Sequence, residues 1–175
     1  MAKDKSIIIL ADQREKTPYD YKPYIYRGVV ERVDVVKLET GDYTMPGYEN
    51  IICVERKAPG DICSCIFEKR FRAELERMQL LKESHVVIDA DIEYLADYPR
   101  WLPASVQSRI KVDGPLVLRQ ILEYQHEYPL TRWHFAGFNG AGWTLGLLRC
   151  AARHYQPTPP ANVLNMESDL LNVGS

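Results

Sequence analysis

The chain has 175 residues, 46% of them hydrophobic and 26% charged, with a formal net charge of −2. This is the balance of a globular protein with enough chain for one self-sufficient core. Its four cysteines contain no C-x-x-C pair, which speaks against a disulfide framework and a structural zinc site. The small negative charge argues against binding nucleic acid by bulk electrostatics, an objection that falls if acids cluster around divalent cations.

Residues 1–6 lead directly into a short apolar run, too short for a signal-peptide core. No stretch approaches the ~20 apolar residues of a membrane span. The expectation is therefore a soluble intracellular protein.

In chain order, residues 7–10 read as a buried strand ending at Ala11-Asp12, and a turn-rich loop follows at 16–20. Residues 29–38 suit a second strand. Thr40-Gly41-Asp42 marks a bend and Met45-Pro46-Gly47 a hairpin turn. Residues 51–54 form another apolar strand running into Glu55-Arg56-Lys57, whose alternation puts Glu55 and Lys57 on one face and Val54 and Arg56 on the other. Asp61, after Pro59-Gly60, is a helix N-cap candidate. Phe67, Phe71, Leu75 and Met78 then recur at helical spacing.

Further on, 86–88 predicts a strand ending at Asp89, and 92–109 short helices and loops. An amphipathic helix opens at Pro115, a strand spans 133–136, and a last helix 143–155. Residues 157–175 turn polar and proline-rich and read as a loose tail after a domain covering 1–156. Strands alternating with helices around one core predict an α/β domain with a mixed sheet.

The chemistry concentrates in Gly41-Asp42 and Glu55-Arg56-Lys57-Ala58-Pro59-Gly60-Asp61, separated by twelve residues. A hairpin between Asp42 and Glu55 brings two carboxylates to the same end of neighbouring strands, with Lys57 one strand period (about 7 Å) beyond Glu55. Such an oxygen-rich acidic pair suits Mg²⁺ or Mn²⁺. The lysine ammonium offsets part of the negative charge and can orient or help deprotonate a water. Metal-assisted phosphodiester hydrolysis is the chemistry this set can do. Taken singly, an E-x-K pair is more often solvated surface.

The longer pattern carries more. Val54-Glu55-Arg56-Lys57-x-x-x-Asp61, preceded by Asp12-Gln13-Arg14-Glu15 and Gly41-Asp42-Tyr43 and followed by Arg70-Phe71-Arg72-Ala73-Glu74, resembles the XPF-type (ERCC4-like) structure-specific nucleases. These are a branch of the PD-(D/E)XK restriction-endonuclease-like fold, a mixed central sheet flanked by helices. The resemblance is strong over 7–78 and looser to about 155, and is to compact phage and bacterial members.

It implies a Mg²⁺- or Mn²⁺-dependent DNA endonuclease acting on branched, flap or junction DNA in recombination or repair. Asp42, Glu55 and Asp12 would be metal ligands, with Glu15 in support, Arg56 lending its carbonyl, Lys57 as the catalytic lysine and Asp61 holding Lys57 or Arg56 in place or binding a metal-bound water. Arg14, Arg70 and Arg72 would meet DNA phosphates. A homodimer in the cytoplasm of a bacterium or a phage-infected cell is implied, with no membrane and no small-molecule cofactor. A weakly catalytic DNA-binding or partner subunit of the same fold, and a nuclease that reads sequence, are the alternatives.

Cys65, Lys69 and Glu74 stand where the family usually has Ser, Gly and Gln, and the chain has no room after the nuclease for the family's helix-hairpin-helix domain.

Other features read more plainly. Residues 137–142 are a strand-to-helix turn rather than a P-loop, because the Lys-Ser/Thr is missing. His126 and His134 lack ligand spacing, and Trp101 and Trp133 read as core. The basic residues of 69–82 alternate with Glu68, Glu74 and Glu76, so a solvated face and a basic stripe are equally supported.

Overall fold

The structure, a computed structural model, describes residues 6–158. The β-branched run at the start forms β1 (Ile7–Asp12), which pairs in parallel with β2 (Val30–Val36) after the short helix α1 (Lys22–Tyr26). A two-residue strand, β3 (Tyr43–Thr44), lies antiparallel to both β1 and β4 (Ile52–Lys57). Helices α2 (Pro59–Cys65) and α3 (Lys69–Met78) lead to β5 (Glu83–Ile88), parallel to β4. Helices α4 (Ile92–Ala96), α5 (Ala104–Gln107) and α6 (Gly114–Glu127) precede β6 (Thr131–Phe135), parallel to β5. A 3-10 turn (Gly137–Asn139) then opens α7 (Gly140–His154).

The sheet order is β2-β1-β3-β4-β5-β6, mixed as the strand pattern predicts. One face carries Cys53, Val86 and Ile88 against Ile62, Phe71, Leu75, Val117 and Ile121 of α2, α3 and α6. The other carries Ile9, Tyr43, Val54 and Val87 against Tyr21, Leu145, Leu148 and Ala151. Strands covered on both sides have apolar residues at successive positions, which is why Ile52 to Val54 are all buried. No helix among the described residues is long and apolar enough to cross a membrane.

Several boundaries differ from the sequence reading, each for a physical reason. The strand expected over 29–38 stops at Val36, and the chain beyond is captured by side chains: Leu38 donates its N–H to Asp12 Oδ2 (2.8 Å) and gives its carbonyl to Arg14 (2.6 Å). The helix expected from an Asp61 cap is two helices. Pro59, with its fixed φ and missing N–H, takes the first helical position, so Ala58 holds the cap position and Asp61 sits inside the first turn. Phe67 falls between α2 and α3 and is exposed. The helix expected from Pro115 begins at Gly114, where Asp113 caps it by accepting the Leu116 N–H (2.9 Å). The last strand starts earlier, at Thr131, and the last helix at Gly140. Thr158 donates its N–H to Gly47 (2.7 Å), and residues 159–175, most of the expected tail, lie outside the described residues.

Among the histidines, His85 is the buried one, 1% exposed, with Nδ1 2.9 Å from Nε2 of His134. Burial, then His134 and Arg132, pull its pKa down to about 3 from the usual 6.5, although Glu83 lies 3.7 Å away. A histidine held neutral stabilises the fold fully above its unfolded pKa, and this contribution is lost as pH falls below about 6.5. Replacing His85 by Leu should therefore flatten the acid side of the stability profile. In urea melts, wild type should lose about 1 kcal/mol more than the variant between about pH 7.5 and about pH 5.5. Equal losses would contradict the neutral His85.

Candidate active site

Gly41 has φ +73°, and a Cβ there would lie 2.8 Å from the Cβ of Cys53. Glycine is thus required to swing the chain onto β4. The next residue, Asp42, is stitched between two strands: its N–H donates to Val54 (2.8 Å) and its carbonyl accepts from Asp12 (2.8 Å). Its Oδ2 accepts the backbone N–H of Arg56 at 2.8 Å. The carboxylate is thereby fixed at the end of β4, beside Glu55 and Lys57.

Strand alternation does for β4 what the sequence predicts. Glu55, 8% exposed, and Lys57 share a face, with Lys57 Nζ 2.5 Å from Glu55 Oε1. The ammonium also lies 5.1 Å from the centre of the Phe71 ring. Arg56 points to the opposite face, where its Nε donates to Asp89 Oδ2 (2.7 Å) and its guanidinium stacks 4.6 Å from the centre of the Tyr19 ring.

Above the pair opens a cleft of about 390 Å³, walled by β1, β4 and the turn at Gly41 on one side and by α2 and α3 on the other. Asp12, Arg14, Glu15, Asp61 and Arg70 border it. The side chains of Asp61 and Arg70 have no protein partner among the described residues. Asp12 is differently placed from a free ligand: Arg14 binds both its oxygens (2.8 and 2.9 Å) and Leu38 N–H takes one of them. Burial works against its ionisation, but these bonds prevail and its pKa is lowered. Arg14 is in turn spent largely on Asp12 and Leu38. Glu15 accepts from Thr17 N–H (2.7 Å) and lies 3.4 Å from Arg56 Nη1, bracing the strand end from the other side.

Arg72 does not reach the cleft. Two residues past Arg70 it is turned about 200° around α3, where it pairs with Glu127 (2.9 Å). Glu74, one helical turn past Arg70, does reach it. Its Oε1 accepts the Gly41 N–H (3.2 Å), and Arg77 binds its other oxygen. It thus ties α3 to the turn that presents Asp42. The i, i+4 spacing from Arg70 was the available signal for it. The glycine turn at 137–142 takes no phosphate-cradle shape: a Cβ on Gly140 would lie 2.2 Å from both Asp89 Oδ1 and Tyr19 Oη, so the start of α7 is pressed against a carboxylate of the chain itself.

The electrostatics of the cleft are those of acids short of positive charge. Burial first, and then the charge of Glu55, push Asp42 up to about 8, while the Arg56 N–H pulls the other way. Burial also raises Glu55 despite Lys57. Burial disfavours the Lys57 ammonium, yet Glu55 outweighs it and the pKa is raised, so Lys57 stays a cation. A divalent cation fits this deficit. Among the described residues no set of three or more His, Cys, Asp or Glu side chains is placed to hold a metal by itself. Two carboxylates with a main-chain carbonyl and retained waters is, however, a donor set that suits Mg²⁺.

An acid whose folded pKa is raised destabilises the fold increasingly as pH rises from its ordinary value, about 3.8, to its folded value, about 8. Asp42→Asn keeps the oxygen that accepts from Arg56 and removes the charge. In chelator, urea melts should show the variant more stable than wild type by more than about 1 kcal/mol at pH 8 and equal to it near pH 4. A variant less stable at pH 8 would contradict the raised pKa.

With the geometry in hand, comparison with solved structures finds XPF from Aeropyrum pernix, with a TM-score of 0.57 and 19% identity over 83% of this chain and 65% of that one. XPF from Aeropyrum pernix in complex with DNA is similar at a TM-score of 0.57 and 17% identity over 85% of this chain and 66% of the other. The chain spans about two thirds of the length of these structures. No family model and no curated protein matches the sequence. The chain therefore has a mixed α/β fold, a central sheet flanked by helices, that is similar to the XPF nuclease fold.

Proposed function

We propose that the chain is a Mg²⁺- or Mn²⁺-dependent DNA endonuclease whose active site is the cleft around Asp42, Glu55 and Lys57. The observation that carries this reading is the pairing of a half-buried Asp42 with a buried Glu55, with a lysine ammonium 2.5 Å from Glu55, open to a cleft at the end of β4. Support comes from the likeness in fold to an XPF solved with DNA. Flap or junction DNA is the proposed substrate, and a homodimer acting in the cytoplasm the proposed form.

Asp42, Glu55 and the Arg56 carbonyl would hold the ion. Its chemistry, when bound, is to polarise phosphoryl oxygens and activate water. The residues of the chain do the rest. The Arg56 N–H and the Gly41 turn keep the Asp42 carboxylate aimed into the cleft. Lys57, a fixed cation, faces the phosphoryl group and stabilises the charge that grows there as the bond to the leaving oxygen breaks. Glu55 holds that ammonium in place. Arg70, without a partner among the described residues and on the rim, is placed to take a neighbouring phosphate, and Asp61 to accept a hydrogen bond from water. Asp12 and Arg14 together brace the loop after β2, and Arg14 keeps part of its guanidinium toward the cleft.

Purified protein incubated with labelled single-stranded, duplex, flap and four-way-junction DNA should cut in Mg²⁺ and not in EDTA. Asp42→Asn, Glu55→Gln and Lys57→Ala should each slow cutting by about 100-fold or more. Arg72→Ala should cut as wild type does. Cleavage that persists in Glu55→Gln, or in EDTA, would overturn the site.

A further inference from the structure

A second hollow, of about 240 Å³, opens on the opposite face of the sheet at the same strand ends. It is lined by Tyr19, Arg56, Asp89, Gly137, Phe138, Gly140 and Ala141. Arg56 is common to both hollows: its amide holds Asp42 in the cleft, and its side chain forms a wall of the second.

Its most unusual member is Phe138, fully exposed at 111% relative accessibility. Single exposed apolar residues are common on protein surfaces and need no explanation by themselves. Phe138 differs in how it is held. Gly137 before it has φ +54° and open space where a Cβ would lie. Gly140 after it is pressed against Asp89 and Tyr19. The turn is therefore anchored at its base while its tip carries a large aromatic ring into solvent, over a hollow backed by a guanidinium.

That guanidinium is immobilised. It lies on the Tyr19 ring, whose other neighbour is the stacked ring of Tyr43 at 5.2 Å. Asp89, Thr17 and Glu15 take its Nε and Nη1 hydrogens. Asp89 is itself satisfied by Arg56 and by Tyr19 Oη (2.6 Å). With Tyr19 covered by Arg56 on one face and by Tyr43 on the other, the flat surfaces left to the hollow are the Phe138 ring and the outer face of the Arg56 guanidinium, and few hydrogen-bonding groups are free, which favours stacking over readout of base edges. Planar bases stack on aromatic rings and on arginine without regard to sequence.

We propose that Phe138 and the hollow beside Arg56 form a binding site for an unpaired nucleobase of the DNA strand whose phosphate lies in the cleft, so that the protein favours DNA with a single-stranded segment next to the cut. The site rests on the nuclease reading above and adds to it a place for one unpaired base and the residue that holds it. A base in a duplex is already stacked on both sides and would gain nothing from Phe138.

The test uses the full chain and a fluorescein-labelled oligothymidylate, with binding read by anisotropy in Ca²⁺. Phe138→Ala, at a fully exposed position, leaves the fold intact. It should weaken binding about tenfold, and Phe138→Trp should restore it. Blunt duplex should bind wild type and both variants alike. A single abasic position walked along the oligonucleotide should, at one place, cost wild type as much as Phe138→Ala does and cost the variant nothing more. Phe138→Ala that binds oligothymidylate as wild type does, or that loses duplex binding equally, overturns the base site and leaves the nuclease reading standing. Wild type that binds none of the DNAs overturns both.

Discussion

Two carboxylates, Asp42 and Glu55, are forced together in a poorly solvated place, and much of the surrounding structure exists to keep them there. Burial drives both toward the protonated form, and the charge of Glu55 adds to it at Asp42, which is what the raised pKa values of the two acids express. Lys57 relieves only part of that, since its single charge is spent on Glu55. The fold supplies the rest of the restraint through backbone geometry: a left-handed glycine, two main-chain bonds tying Asp42 between β1 and β4, and the Arg56 N–H on its carboxylate. A site that is destabilising by itself and held by the scaffold is the usual signature of function placed above stability.

The sheet explains why the site can be built at all. Because β4 is covered on both faces, its alternation sends Glu55 and Lys57 to the cleft and Arg56 to the network of Tyr19, Asp89 and Glu15. One strand end thus organises two surfaces, with its backbone shared between them. The short β3 turns the chain back so that Asp42 arrives beside β4 rather than beyond it. From α3, Glu74 reaches the same turn, its other oxygen held by Arg77.

What could be read from the sequence was what depends on local period. The two-residue alternation of β4, the bend at Gly41 and the interposed hairpin were enough to place Asp42, Glu55 and Lys57 together. Quantities set by long-range partners were not readable. Asp12 presents as a strand-end acid, and neither the turn of Arg14 back onto both its oxygens nor the return of the chain at Leu38, 26 residues on, follows from a local period. Arg70 and Arg72 look alike in a basic run, and the rotation of α3 separates them. Glu74 reads as one charge among several on a solvated helix until the helix is laid against Gly41. Asp61 has the chemistry of a cap, but Pro59 has the stronger preference for the first helical position. The Arg56–Asp89 and Tyr19–Asp89 bonds span 33 and 70 residues, beyond any pattern.

If the pair is a cation site, a cation must stabilise the folded protein, and the gain must depend on both carboxylates. Thermal melts at about pH 8 with increasing Mg²⁺ measure this without any substrate. Wild type should gain about 5–10 °C at a hundredfold excess over the dissociation constant. Asp42→Asn and Glu55→Gln should show no such gain. A rise of equal size in the two variants, or none in wild type, would contradict it.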